Sequence, residues 1–319
     1  MYARNHDENI LEEYKKLTEQ RRYYRRLHVD NLCILDPEEY YESLKDWSKF
    51  KEPRDTSKSD AERDSEITFL LRCKSKFSDK AKRELEEKCK KAKMLEQEYE
   101  KHHQKEVSRM RAQFEERQRK TNKLVDKNKS LYDRGDKKQI INFFNAVLEN
   151  DEFTLDMLGE QEKYDSNSVV SQYDEKTKTL SYRYRIPNSY EICVIDRFEY
   201  DDESGEIIAK ELDKTHAKRV RLHLLETLLL RSVNTIIYSD KHKNVEFINF
   251  TGFLRYYDRA YGNNREINVV KLNISRDMVL QINPERANAS ELFERVLKGK
   301  FEISMGLYDK EPFELTEIK

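Results

Sequence analysis

The chain has 319 residues, 39% of them charged and 37% apolar, with 61 Lys+Arg set against 62 Asp+Glu and a mean hydropathy of −1.00. Soluble domains are typically about 45–50% apolar and about 25% charged, which excludes one compact globule with an ordinary core. The 19 Tyr and 14 Phe exclude a purely solvating tail, and no apolar run approaches the ~18 residues of a membrane span.

Residues 8–27 read as a helix carrying Ile10, Leu11, Tyr14 and Leu17, then Arg21, Arg22, Arg25 and Arg26. Residues 28–53 read as a short irregular or helical element. Within it, Asp36-Pro37-Glu38-Glu39 places Asp at an N-cap and Pro at the first helical position. The run from Glu52 to Ser65 is charged and rich in Ser and Asp, the composition of a mobile linker.

From Glu66 to Lys129 one long helix, or two collinear ones, is expected; neither Gly nor Pro occurs between Pro53 and Gly135. Its apolar positions, among them Phe77, Ala92, Tyr99, Val107, Met110, Phe114, Thr121 and Leu124, follow steps of three and four, as a coiled-coil seam requires. The stripe is thin, so the helix needs a cover: the first helix, a second copy or a partner.

After the turn Arg134-Gly135-Asp136 the character changes. Lys137 to Asn150 is an amphipathic helix. Ser168 to Tyr173, Thr179 to Ile186 and Tyr190 to Tyr200 read as strands, with Tyr182, Tyr184 and Ile186 on one face and Arg183 and Arg185 on the other. Thr215 to Ser239 is apolar on more than one side, the mark of a central helix between layers. Val245 to Gly252 and Glu266 to Ser275 form a hairpin pattern across Gly262-Asn263-Asn264. Short helices are expected from Ser275 to Gln281 and from Ala289 to Lys298. The fold class is therefore α+β: a long N-terminal helical, coiled-coil arm, then a mixed α+β domain with a central helix packed on an antiparallel or mixed sheet. The parts are residues 1–65, 66–130 and 131–319.

Charge divides the same way. Residues 1–73 carry net −3, residues 74–129 net +8 and residues 130–319 net −6. Such asymmetry points to partners. Lys101, Lys105, Arg109, Arg111, Arg117, Arg119, Lys120 and Lys123 form a basic stretch that phosphate backbones attract through counterion release. The competing reading is a solvated helix face, with Glu98, Glu106, Glu115 and Glu116 in i,i+4 pairs. Arg183 and Arg185 beside Tyr182 and Tyr184 are a second candidate surface for nucleic acid, or simply the wet face of a strand.

Catalytic signatures are scarce. GxxxxGK[ST], GxGxxG and G-x-S-x-G are absent. A metal-dependent nuclease wants Glu or Gln two residues before a Lys on an apolar strand. Lys271 has Val269 there, and Glu86-Glu87-Lys88 falls in the solvated helix. Cys33, Cys73, Cys89 and Cys193 lack C-x-x-C spacing, and the N-terminus lacks a signal core, so reduced thiols in a cytoplasm are expected. His102 and His103 are adjacent and point about 100° apart on a helix. His216 and His223 share a helical face and read as surface or half-buried. No metal, cofactor or catalytic residue is assigned.

The order of the pieces resembles the region that precedes the catalytic domain in bacterial restriction-endonuclease-like proteins of the Mrr-like, PD-(D/E)xK type. The matching stretches are Tyr132 to Asp136, Leu180 to Pro187, Leu228 to Asp240, Phe247 to Gly252, Ile274 to Asp277 and Ile282 to Pro284. In that family the nuclease follows, whereas this sequence ends at Lys319. The resemblance implies a non-enzymatic, DNA-associated or oligomerising accessory module of a restriction or anti-phage defence system. It would act with a separately encoded nuclease or other effector, contact duplex DNA through its backbone, and self-associate through the arm. The rivals are a metal-dependent nuclease, or a fragment of one, with an unrecognised site, and a purely structural coiled-coil adaptor.

Overall fold

The computed structural model describes residues 2–304, apart from 31, 152, 154, 156–167 and 259–260. In chain order, helices α1 (Tyr2–Arg26), α2 (Pro37–Ser43), α3 (Ser57–Asp64), α4 (Phe69–Lys74), α5 (Asp79–Asp133) and α6 (Lys137–Glu149) precede strands β1 (Val169–Asp174), β2 (Thr179–Arg185), β3 (Ile195–Asp201) and β4 (Glu206–Glu211). Helix α7 (Lys214–Ser239), strands β5 (Phe247–Asp258) and β6 (Asn263–Ser275), helices α8 (Arg276–Gln281) and α9 (Ala289–Glu291) and strand β7 (Phe301–Ile303) follow. The chain forms two compact units, Met1–Tyr41 with Asn128–Lys319, and Glu42–Lys127. None of the described helices is long and apolar enough to cross a membrane.

The first unit is built around α7 and a five-stranded mixed sheet of order β1-β2-β5-β6-β7. The alternation in β2 does what its spacing predicts. Leu180, Tyr182 and Tyr184 are buried while their neighbours are half-exposed. Strand β2 pairs in parallel with β5, Tyr182 opposite Phe250, and every other pair in this sheet is antiparallel. A parallel pair needs a long crossover, here containing the β3–β4 hairpin and α7. Gly252 of β5 is required by packing: a Cβ there would lie 3.0 Å from the Phe250 ring and from Val270 Cβ.

Leu224, Leu225, Leu228, Leu229, Leu230, Val233 and Ile236 bury α7 on several sides, which is why its apolar residues do not follow a single stripe. The Tyr182 hydroxyl meets Ser232 Oγ at 2.9 Å, joining helix to sheet. Arg231, 1% exposed, makes a two-pronged pair with Asp151, Nη2 to Oδ1 at 2.7 Å and Nε to Oδ2 at 3.1 Å. Its Nη1 donates to the carbonyls of Leu27 and Asp30 at 2.9 and 2.8 Å. A helix leaves its last carbonyls without partners; a side chain of α7 supplies donors just beyond the C-terminus of α1. Arg276 and Asp240 form a second buried pair.

In the second unit, residues 46–66 run antiparallel along α5. The backbone of Asp46 is bracketed by the Asn122 amide, which accepts from the Asp46 N–H at 2.8 Å and donates to its carbonyl at 3.2 Å. Gln118 donates to the Ser48 carbonyl. Phe50 packs on Phe114 with ring centroids 5.7 Å apart, and Tyr99 donates to Asp64 at 2.8 Å.

Two expectations change here. The Glu52–Ser65 run is not a mobile linker. Its second half is α3, with Ala61 fully buried, because acidic, hydroxyl-rich sequence suits a basic helix as well as it suits water. The long helix also begins later than Glu66, because α4 and the turn before Asp79 intervene. Ala92, Val107 and Val125 are buried, whereas Phe77 is 91% exposed and Leu124 57%, so the covered face is narrower than the expected seam.

Candidate nucleic-acid interface

Helix α5 carries eight of the ten basic residues singled out in the sequence. At about 100° per residue, with Lys101 as zero, the residues that meet the strap formed by residues 46–66 (Tyr99, Arg111, Phe114, Gln118, Asn122) fall between about 160° and 300°. Lys101, Lys105, Arg109, Arg119, Lys120, Lys123 and Lys127 fall between 0° and about 100°, on the opposite side, with Glu116 the one acid among them in that stretch. All seven are exposed. Among the described residues, only Arg119 and Lys120 of these have an acidic partner, and both share Glu116. Those two cations hold the Glu116 carboxyl below its ordinary range, mainly through their hydrogen bonds.

The acids of the strap lie on the covered side. Asp46 and Asp55 are held low first by the hydroxyls of Ser48 and Ser57, and Asp64 first by the Tyr99 hydroxyl. Glu52 takes Arg111 at 3.0 Å, and the Arg111 guanidinium lies 5.6 Å from the Phe50 ring centroid. Arg117 packs over Phe114. Arg111 therefore fastens the strap, and Arg117, folded over Phe114 of its own helix, lies outside the open basic face. Lys127 continues the same basic periodicity one turn further.

Arg183 and Arg185 belong to the first unit and are engaged within it. Arg183 pairs with Glu266 at 3.1 Å and packs 4.5 Å from the Phe253 ring centroid. Arg185 pairs with Glu191 and its side chain is only 16% exposed. Tyr182 and Tyr184, 1% and 2% exposed, lie against Phe250 in the core. Buried tyrosines offer no stacking surface for bases, so the basic-aromatic alternation is a strand with one wet and one dry face.

Among the described residues, no three His, Cys, Asp or Glu side chains group as a metal site. No family model, no curated protein and no solved structure matches the chain.

Proposed function

We propose that the open face of α5 binds the phosphate backbone of duplex nucleic acid without reading its sequence. The carrying observation is the division of the helix surface. Acids of the strap gather on one side, and seven bases with a single intervening acid remain on the other. From Lys101 to Lys127 the face extends about 39 Å at 1.5 Å per residue, close to one turn of B-form DNA, about 34–36 Å. Phosphate contact of this kind gives affinity and orientation, while sequence information comes from base edges.

The role of such a module follows the resemblance to the region preceding Mrr-like nucleases: an accessory protein of a restriction or anti-phage system that delivers a separately encoded nuclease or other effector to DNA.

A salt titration of duplex binding tests the reading. With five to seven bases engaged, log affinity is expected to fall against log salt with a slope of about −5 to −6. Reversing Lys105, Arg109 and Lys123 to Glu should reduce the steepness by about 3 and weaken all duplex sequences alike. Absence of binding at low salt would sink the proposal.

A further inference from the structure

A second cationic feature lies wholly within the first unit. A cleft of about 730 Å³ opens between the C-terminal half of α1, the N-terminal half of α7 and the segment before α9. Its cationic lining is Arg21, Arg25, Arg219 and Arg286, joined by His216 and His223. Leu212, Val220, Ala287 and Ala289 supply apolar wall. Ligand clefts typically measure about 300–1,000 Å³, with a mostly apolar lining and a few convergent polar groups.

The charges do not cancel. The two acids of the lining are Asp196 and Glu285. Asp196 lies 3.9 Å from Arg21 and 3.3 Å from Arg197. Arg21 is further fixed by donating to the carbonyls of Ile195 and Asp196 at 2.9 and 3.2 Å. Glu285 faces Arg26 at 3.6 Å. Arg25, Arg219 and Arg286 come from three separate elements and have no acidic partner among the described residues. The N-terminal amides of α7 are already occupied, because Asp213 accepts from Thr215 and His216, so the cleft's attraction for anions rests on its arginines.

His223 adds direction. Ser290 Oγ donates to buried Glu226 at 2.6 Å, so it accepts from His223 Nδ1 at 3.1 Å. That assignment leaves Nε2 as the lone-pair nitrogen, buried and without a protein partner. Burial first, and the nearby Arg25 charge second, hold this ring below the usual histidine pKa and keep it neutral near pH 7. The site thus combines three unpaired guanidinium groups, an apolar wall and one hydrogen-bond acceptor.

We propose that the cleft binds a nucleotide-sized phosphate ester, with Arg25, Arg219 and Arg286 holding the phosphate and His223 Nε2 accepting from a hydroxyl or amino group of the nucleoside. Forked guanidinium donors match phosphate oxygens in pairs. The apolar wall and the histidine acceptor favour an organic ester over the bare anion.

Isothermal titration of the full chain at low salt tests this, with ATP, AMP, adenosine, inorganic phosphate and a 5′-phosphorylated oligonucleotide as probes. ATP or AMP should bind, with adenosine and inorganic phosphate much weaker. Arg25→Gln, Arg219→Gln and Arg286→Gln should each weaken nucleotide binding about tenfold, the scale of a lost charged hydrogen bond. These three side chains are exposed, so their replacement leaves the fold in place, which an unchanged unfolding curve verifies. His223→Phe should narrow the preference for AMP over inorganic phosphate. The Lys105→Glu, Arg109→Glu variant of the arm should leave AMP binding unchanged while weakening duplex binding, which separates this site from the arm. No binding of ATP or AMP at millimolar concentration, equal affinity for AMP and inorganic phosphate, or unaltered binding in the arginine variants overturns the proposal. Binding of the phosphorylated oligonucleotide without binding of free nucleotide overturns the assignment to a free ligand.

Discussion

The two units handle the same abundance of charge in opposite ways. In Glu42–Lys127 the ion pairs are exposed: Arg111 with Glu52, Arg119 and Lys120 with Glu116, Arg72 with Glu62. In the other unit the decisive pairs, Arg231 with Asp151 and Arg276 with Asp240, are almost wholly out of solvent. Exposed pairs are typically worth about 0–1 kcal/mol and are screened by salt. A buried pair is worth little against an apolar replacement, yet costs about 3–5 kcal/mol when one member alone is removed. The first unit should therefore be sensitive to mutation and pH, and the second to salt.

The largest effect should come from Arg231→Met. It leaves the Asp151 carboxylate buried without its partner and removes the donors to Leu27 and Asp30. A loss of about 3–5 kcal/mol is expected in urea unfolding. A loss below about 1 kcal/mol would place this pair with the surface ones and break the comparison.

A smaller effect should appear with pH. Burial lowers the pKa values of His28 and His223 from the ordinary 6.5. A group with a depressed folded pKa contributes stability above its unfolded value and loses it as pH falls through the folded one. The melting temperature should decline as pH drops below 6.5, and His223→Gln should flatten that decline. Glu226, raised by burial, has the opposite sign: its contribution is present below its unfolded pKa and is lost as pH rises through the folded one.

The smallest effect should be Arg111→Ala, about 0–1 kcal/mol, and it should vanish in molar salt. A persistent loss in high salt would assign Arg111 a packing role over Phe50 instead.

Much of the first unit was legible because burial writes periodicity into sequence. The all-round apolar run at Leu224–Ile237 and the alternation at Leu180–Ile186 each admit one structural reading. Strand β4, Glu206–Glu211, was missed because it lies in a two-stranded sheet with little burial and carries Glu and Lys among its few apolar residues. The strap was missed for a related reason. Its contacts are backbone groups answered by Asn122 and Gln118, and a polar residue that bonds a distant segment's backbone looks the same in sequence as one that meets water. The basic face of α5 was legible as composition, but which bases stay open depends on where the strap lies. The cleft was illegible because Arg25, Arg219 and Arg286 are remote in sequence and converge only in the fold.

The grip of Arg231 on the end of α1 has a consequence for how the chain is made. Helix α1 leaves the ribosome with carbonyls just beyond its end that await a donor some 200 residues later, Arg231 to Leu27 being separated by 204. Until α7 emerges, α1 has neither that donor nor the helix it packs on. The parallel partner of β2, strand β5, comes later still. Contacts of such long range close slowly, so the first unit should assemble only after β5 has emerged. Residues 42–127, whose contacts are nearer in sequence, are free to fold while the chain is still being extended.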